Sequence, residues 1–173
     1  KLQMYSDFGP PTRDNTWGCA ILSRFPMRSV EHFLLPSPEG ELACALRAEI
    51  DIGGHITHVF VTHMGNWGDR LDRDLQSKEI ARIAAGYASQ PYLFLGYVTS
   101  APDSENYQRI LHEGRLTDID PSDLDRWCQY ICYRGMQRLN YARINSGDIA
   151  DTEQQAARFR VGHGIRDGID HDL

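Results

Sequence analysis

Gly53-Gly54 lies between two runs that both read as β-strand, and this pins a tight hairpin in the first third of the chain. In residues 42 to 52, Leu42, Cys44, Leu46, Ala48 and Ile50 alternate with other side chains, the pattern of a half-buried strand. Residues 56 to 62 return as a run rich in β-branched and aromatic residues, and it delivers His63 at its end. A Gly- and Asn-containing loop follows. Asp69, Arg70, Asp72, Arg73 and Asp74 then alternate in sign on the first turns of a helix predicted over residues 69 to 87. Leu71, Leu75, Ile80, Ile83 and Ala84 form its apolar stripe, and Gly86 with Ser89-Gln90-Pro91 ends it.

Around this unit the chain supplies further short elements. Residues 1 to 18 are rich in Gly, Pro, Asp, Asn and Thr and read as a surface loop. Residues 19 to 23 and 30 to 35 read as strands, the second followed by the turn Ser37-Pro38-Glu39-Gly40. Residues 92 to 95 are an all-apolar strand suited to the middle of a sheet. A short helix is expected over 106 to 112, a strand over 127 to 133, and a helix over 151 to 160 with Asp151 as N-cap and Gln154 three residues on. The tail from Gly162 has no core pattern. Antiparallel strands interleaved with helices imply an α+β sandwich, and 173 residues fit a single domain over 1–173.

A net charge of -6 argues against non-specific nucleic-acid binding, which needs a basic face. No apolar run approaches the roughly 18 residues of a membrane helix. The chain opens on Lys1 rather than Met, as expected of a processed or excised piece. Cys19, Cys44, Cys128 and Cys132 make no pair of CxxC motifs, which argues against structural zinc. Cys128 and Cys132 share a strand face and read as small buried residues rather than a disulfide.

Three polar clusters follow apolar runs or close the chain: Thr62-His63, then Gly96-Tyr97-Val98-Thr99-Ser100, then Ile169-Asp170-His171. With Leu22-Ser23-Arg24-Phe25-Pro26, the helix bearing Arg73 and Gln76, and the strand ending at Gly135, this succession resembles the endonuclease/exonuclease/phosphatase superfamily. The longer runs YSDFGPPTRDNTWGCAILSRFP, LLPSPEGELA, THMGNWGDRLDRDLQ, FLGYVTSAP and DRWCQYICYRG are similar to one branch of it. That branch is the soluble C-terminal domain of the cell-wall-biogenesis protein that exchanges diacylglycerol for ceramide on glycosylphosphatidylinositol (GPI) anchors. The resemblance spans about residues 5 to 160. It implies a four-layered α/β/β/α sandwich whose N-terminal part lies outside this chain, to be completed by an upstream segment or another chain.

Carried over by position, the resemblance makes His63 a contact to the scissile phosphate and His171, oriented by Asp170, the general base. Imidazoles suit both roles because they titrate near neutrality. The competing readings are a strand-capping hydrogen-bonder for His63 and a solvated terminus for His171. Asn66, Arg73 and Thr99 are candidate donors to phosphate oxygens, Arg73 equally a structural ion-pair partner; Tyr97 and Gln129 complete the substrate-binding set. Asp125-Arg126 reads as a local ion pair, and His32, His55, His58 and His112 as structural or solvent-facing.

The superfamily implies a divalent metal, magnesium or calcium. Its strand-end Gly-Asp-x-Asn, however, stands here as Gly96-Tyr97-Val98-Thr99, and the Asp of the next strand as Gln129. Both changes remove oxygens that hold hard cations. The metal ligands are therefore unassigned. Two functions are expected in competition. One is a phosphodiesterase-like domain handling the inositol-phosphate/lipid linkage, and the other a metal-depleted module that binds the GPI head group for a membrane partner. The expected partners are a GPI glycolipid or inositol phospholipid and a membrane-embedded part of the same protein, within the secretory pathway.

Overall fold

The computed structural model describes residues 3–10, 17–145, 147 and 152–162. In chain order these hold strands β1 (Tyr5–Gly9), β2 (Cys19–Ser23), β3 (Met27–Leu34), β4 (Cys44–Ile52) and β5 (His55–His63), then helix α1 (Arg70–Gly86) and strand β6 (Tyr92–Tyr97). Helix α2 (Glu105–Gly114) and strands β7 (Thr117–Asp118), β8 (Gln129–Arg134), β9 (Gln137–Ile144) and β10 (Gln154–Arg160) complete them. Six strands form one sheet in the order β3-β4-β5-β6-β8-β7, while β1-β2 and β9-β10 form separate two-stranded sheets. Only the β5–β6 pair is parallel among the described ladders, because α1 carries the chain back between them.

The expected hairpin is present, with Gly53 and Gly54 at φ of +61° and +90°, where a side chain would be strained. Strand β4, expected to be half-buried, is instead covered on both faces along most of its length. It lies between β3 and β5, with helices on one side and the β1–β2 hairpin on the other, so even Arg47 is buried. Leu42 falls outside β4 and is 46% exposed.

On one face of the main sheet, Phe60, Tyr92, Phe94 and Tyr130 pack with Ile80, Ile83 and Ala84 of α1 and with Tyr107 and Ile110 of α2. Leu71 is exposed and Leu75 half-buried, unlike the predicted stripe. Their places are taken by the buried polar residues Asp72, Gln76 and Ser77. On the opposite face, Leu46, Ala48, Ile50 and Val59 pack with Cys19 and Ile21 of β2. The β9–β10 ribbon reaches the same face through Phe159, whose ring lies 5.1 Å from that of Tyr133. The expected α+β sandwich is thus present, its described layers being helices, main sheet and a second β layer.

Two expectations for the flanks are corrected. Residues 5–9, expected as loop, pair antiparallel with β2 from Tyr5↔Ser23 to Gly9↔Cys19. Of the helix expected over 151 to 160, residues 154–160 are strand β10, and the expected N-cap Asp151 lies outside the described residues. The side chains of β10 alternate between exposed and half-buried, with Gln155, Ala157 and Phe159 turned inward, and β9 supplies its hydrogen bonds. The buried Arg126 pairs not with Asp125 but with Asp118, Nη1 to Oδ1 at 2.9 Å and Nη2 to Oδ2 at 2.8 Å.

Candidate functional site

Four strands place one row of residues at the same level and on the same face of the main sheet. Cys44 on β4 pairs with His63 on β5, His63 with Tyr97 on β6, and Tyr97 with Gln129 on β8. Because side chains alternate along strands, these four share the face that meets the second β layer. The His63 and Tyr97 rings stack at 4.6 Å, 2° from parallel, and Trp17 meets His63 edge-on at 5.0 Å.

The row opens into a cleft of ≈ 310 Å³ bounded by Trp17, Glu41, His63, Asn66, Trp67, Tyr97, Thr99 and Trp127. All three tryptophans of the chain stand on this rim, each 40–52% exposed. Trp127 meets Trp67 at 6.4 Å and Tyr97 at 6.3 Å, both edge-to-face. This is an apolar wall with open π faces beside one imidazole, an arrangement that suits an amphipathic ligand.

Within this wall His63 Nδ1 is buried and has no hydrogen-bond partner among the described residues. Burial lowers the His63 pKa below the usual imidazole value, against the opposing pull of the Glu41 carboxylate. The ring is therefore neutral at pH 7, able to donate one hydrogen bond and accept another.

The loop after β5 is held by buried polar groups. Gln76 Oε1 accepts the Gly65 N–H at 3.0 Å, and its Nε2 donates to the Pro36 carbonyl at 3.0 Å. The Thr99 hydroxyl donates to the Gly65 carbonyl at 2.6 Å. Arg73 donates to the Thr99 carbonyl at 3.3 Å, and its guanidinium lies 5.0 Å from the Trp67 ring centre. Glu41 is positioned from the side: Asp72, fully buried on α1, accepts the Glu39 N–H at 3.0 Å and the Gly40 N–H at 2.9 Å.

Of the sequence candidates, His63, Asn66, Tyr97 and Thr99 line the cleft. Gln129 joins the row but accepts from the Cys128 thiol at 3.0 Å. Thr99 spends its hydroxyl hydrogen on the loop and Arg73 binds backbone, so both act here as supports. Asp170 and His171 lie outside the described residues. Sequence reasoning missed Glu41, Trp17, Trp67 and Trp127 as cleft residues. The one signal for Trp17 and Trp67 was that each falls in a polar, Gly- and Asn-containing segment rather than in an apolar run.

The donor set does not match a hard cation. Among the described residues the cleft offers one carboxylate, Glu41, and no group of three His, Cys, Asp or Glu is placed to hold a metal.

Residues 1–172 match the family model described as PGAP2IP, C-terminal nuclease-like domain. The chain is 45% identical over 174 residues to Protein cwh43 of Schizosaccharomyces pombe, a match covering 98% of this chain and 18% of that protein. Among solved structures, an endonuclease/exonuclease/phosphatase family protein from Leptotrichia buccalis superposes with a TM-score of 0.70 at 14% identity, covering 91% of this chain and 71% of that one. A sphingomyelinase C from Streptomyces griseocarneus superposes with a TM-score of 0.54 at 17% identity, covering 80% and 63%. These structural likenesses establish the endonuclease/exonuclease/phosphatase fold. No helix among the described residues is long and apolar enough to cross a membrane.

Proposed function

From this chain's membership of the family of PGAP2IP C-terminal nuclease-like domains, we propose that it handles the inositol-phosphate/lipid linkage of GPI anchors while diacylglycerol is exchanged for ceramide. The observation that carries this reading is His63: a neutral imidazole set at a strand end in a cleft walled by tryptophans. The imidazole donates a hydrogen bond to a non-bridging phosphate oxygen, while the indoles offer flat apolar surface to the ring and lipid portions of the ligand. Asn66 and Tyr97 add polar contacts at the same mouth. In this reading Asp170 and His171 move the proton of the attacking group. The domain works beside the membrane-embedded part of its own protein in the secretory pathway. The chain spans 18% of the length of the curated relative it matches.

A second reading has its own support. The single cleft carboxylate among the described residues suits a module that binds the GPI head group and presents it to a membrane partner without cutting it. Lipid analysis of GPI-anchored proteins separates the two, in cells whose only copy of the gene encodes His63→Ala or His171→Ala. Under the enzymatic reading, both variants accumulate at wild-type level and carry diacylglycerol-type anchors. Ceramide anchors persisting in the His171→Ala cells but lost in the His63→Ala cells favour the binding module. Ceramide anchors in both sink the proposal.

A further inference from the structure

Beside His63 two thiols face each other across the layers of the sandwich. Cys19 opens β2 in the outer hairpin and Cys44 opens β4 in the main sheet, and their sulfurs lie 3.5 Å apart. Both residues are buried, at 6% and 0% exposure. The Cys19 thiol also approaches the Cys44 carbonyl at 3.7 Å and has the His63 backbone among its partners. The remaining cysteines are engaged elsewhere, Cys132 with the Tyr107 hydroxyl at 3.3 Å and Cys128 with Gln129 at 3.0 Å.

We propose that Cys19 and Cys44 form a disulfide that staples the β1–β2 hairpin to the main sheet beneath the cleft. The sulfurs need to close from 3.5 Å to roughly 2.05 Å, a movement of about 1.5 Å that side-chain torsion and a small shift of the hairpin provide. The hairpin is the element that gains most from a staple. It shares no ladder with the six-stranded sheet and rests on β4 and β5 through side chains. It also carries Trp17, two residues before Cys19 and edge-on to His63 at 5.0 Å. The bond therefore fixes one wall of the cleft.

The oxidant is a small disulfide such as oxidised glutathione, reacting while the hairpin is transiently open. Cys44, exposed once the hairpin lifts, gives its proton to solvent and attacks as the thiolate. Its sulfur bonds to one sulfur of the small disulfide, whose S–S bond breaks and releases one small thiolate to take up a proton. Cys19 then gives its proton to solvent, and its thiolate attacks Cys44 Sγ and expels the second small thiol. Two protein thiols are oxidised by two electrons, and one small disulfide is reduced to two thiols.

The test equilibrates the intact protein with oxidised or reduced glutathione, denatures it, alkylates it with N-ethylmaleimide and measures its mass and linked peptides. The chain has four cysteines; the reduced sample should take four maleimides. The oxidised one should take two, with Cys19 joined to Cys44, and should melt roughly 5–10 °C higher. Cys19→Ser should abolish the linked peptide and the melting shift, leaving Cys44 as a free thiol or as its trapped glutathione adduct. In the wild type, four maleimides after oxidation, a link through Cys128 or Cys132, a retained glutathione adduct at Cys44, or an unchanged melting temperature would each overturn the proposal.

Discussion

The imidazole of His63 and the phenol of Tyr97 lie face to face, 4.6 Å apart and 2° from parallel, at the ends of two adjacent parallel strands. The parallel register forces this: His63 and Tyr97 are opposite one another on the ladder, so their side chains leave the sheet on the same face. Tyr97 thereby shields one side of the ring whose burial holds His63 neutral. Replacing Tyr97 by Ala should readmit water and move the His63 titration upward, toward the ordinary value of about 6.5. NMR titration of the His63 ring protons reads this directly. An unchanged midpoint would show that Tyr97 does not set it.

The buried His58 and the half-buried His63 should also shape stability against pH. Burial lowers the pKa of His63, and burial aided by the Arg47 charge lowers that of His58 despite its bond to Gln90. The unfolded chain takes up these protons near pH 6.5, and the folded chain only at lower pH. The unfolded state therefore holds more protons in that window, and stability present above about pH 6.5 is lost as pH falls toward the folded values. Denaturant melts between pH 7.5 and 5 should show a smaller loss for the His58→Gln, His63→Gln double variant than for the wild type. Equal losses would contradict this.

Much of the frame was legible because local patterns and tertiary needs agree in it. The Gly53-Gly54 hairpin, the central strand over residues 92 to 95, which the structure extends to Tyr97, and the helix over Arg70–Gly86 each follow from alternation, glycine or helical spacing. Strand β10 was not legible as such, since its Gln, Ala and Arg content favours helix and only pairing with β9 makes it a strand. Glu41 and Trp17 are far from His63 in sequence, and packing alone delivers them. Hydropathy gives no sign that Asp72 and Gln76 would be fully buried to position that packing.

Asp72 is the clearest of these hidden supports. Its two carboxylate oxygens accept separate backbone N–H groups, so Asp72→Asn turns an amide NH2 toward one of those donors. Stability should fall by about 1–3 kcal/mol, as chemical denaturation would measure. The loop bearing Glu41 should loosen with it, visible as faster amide exchange at Glu39 and Gly40. A neutral substitution with unchanged exchange would mean that water substitutes for the carboxylate.

At the far edge, Arg126 and Asp118 form a buried bidentate pair that also receives the Tyr107 hydroxyl at 2.5 Å. Burial works against the Arg126 cation, yet the hydrogen bonds and charge of Asp118 raise its pKa. Arg126→Met strands the Asp118 carboxylate and should cost about 3–5 kcal/mol. Adding Asp118→Asn should restore part of that loss. A double variant no more stable than the single one would show that charge burial is not the main cost.

The claim that the tryptophan-rimmed cleft receives an inositol phosphate through His63 is tested most directly by calorimetric titration with myo-inositol 1-phosphate. Wild type should bind, and His63→Ala should weaken binding at least about tenfold, the worth of one hydrogen bond to a charged group. The folded state of the variant is checked by its melting curve. Equal affinity in wild type and a folded His63→Ala variant would place the phosphate elsewhere and contradict the account.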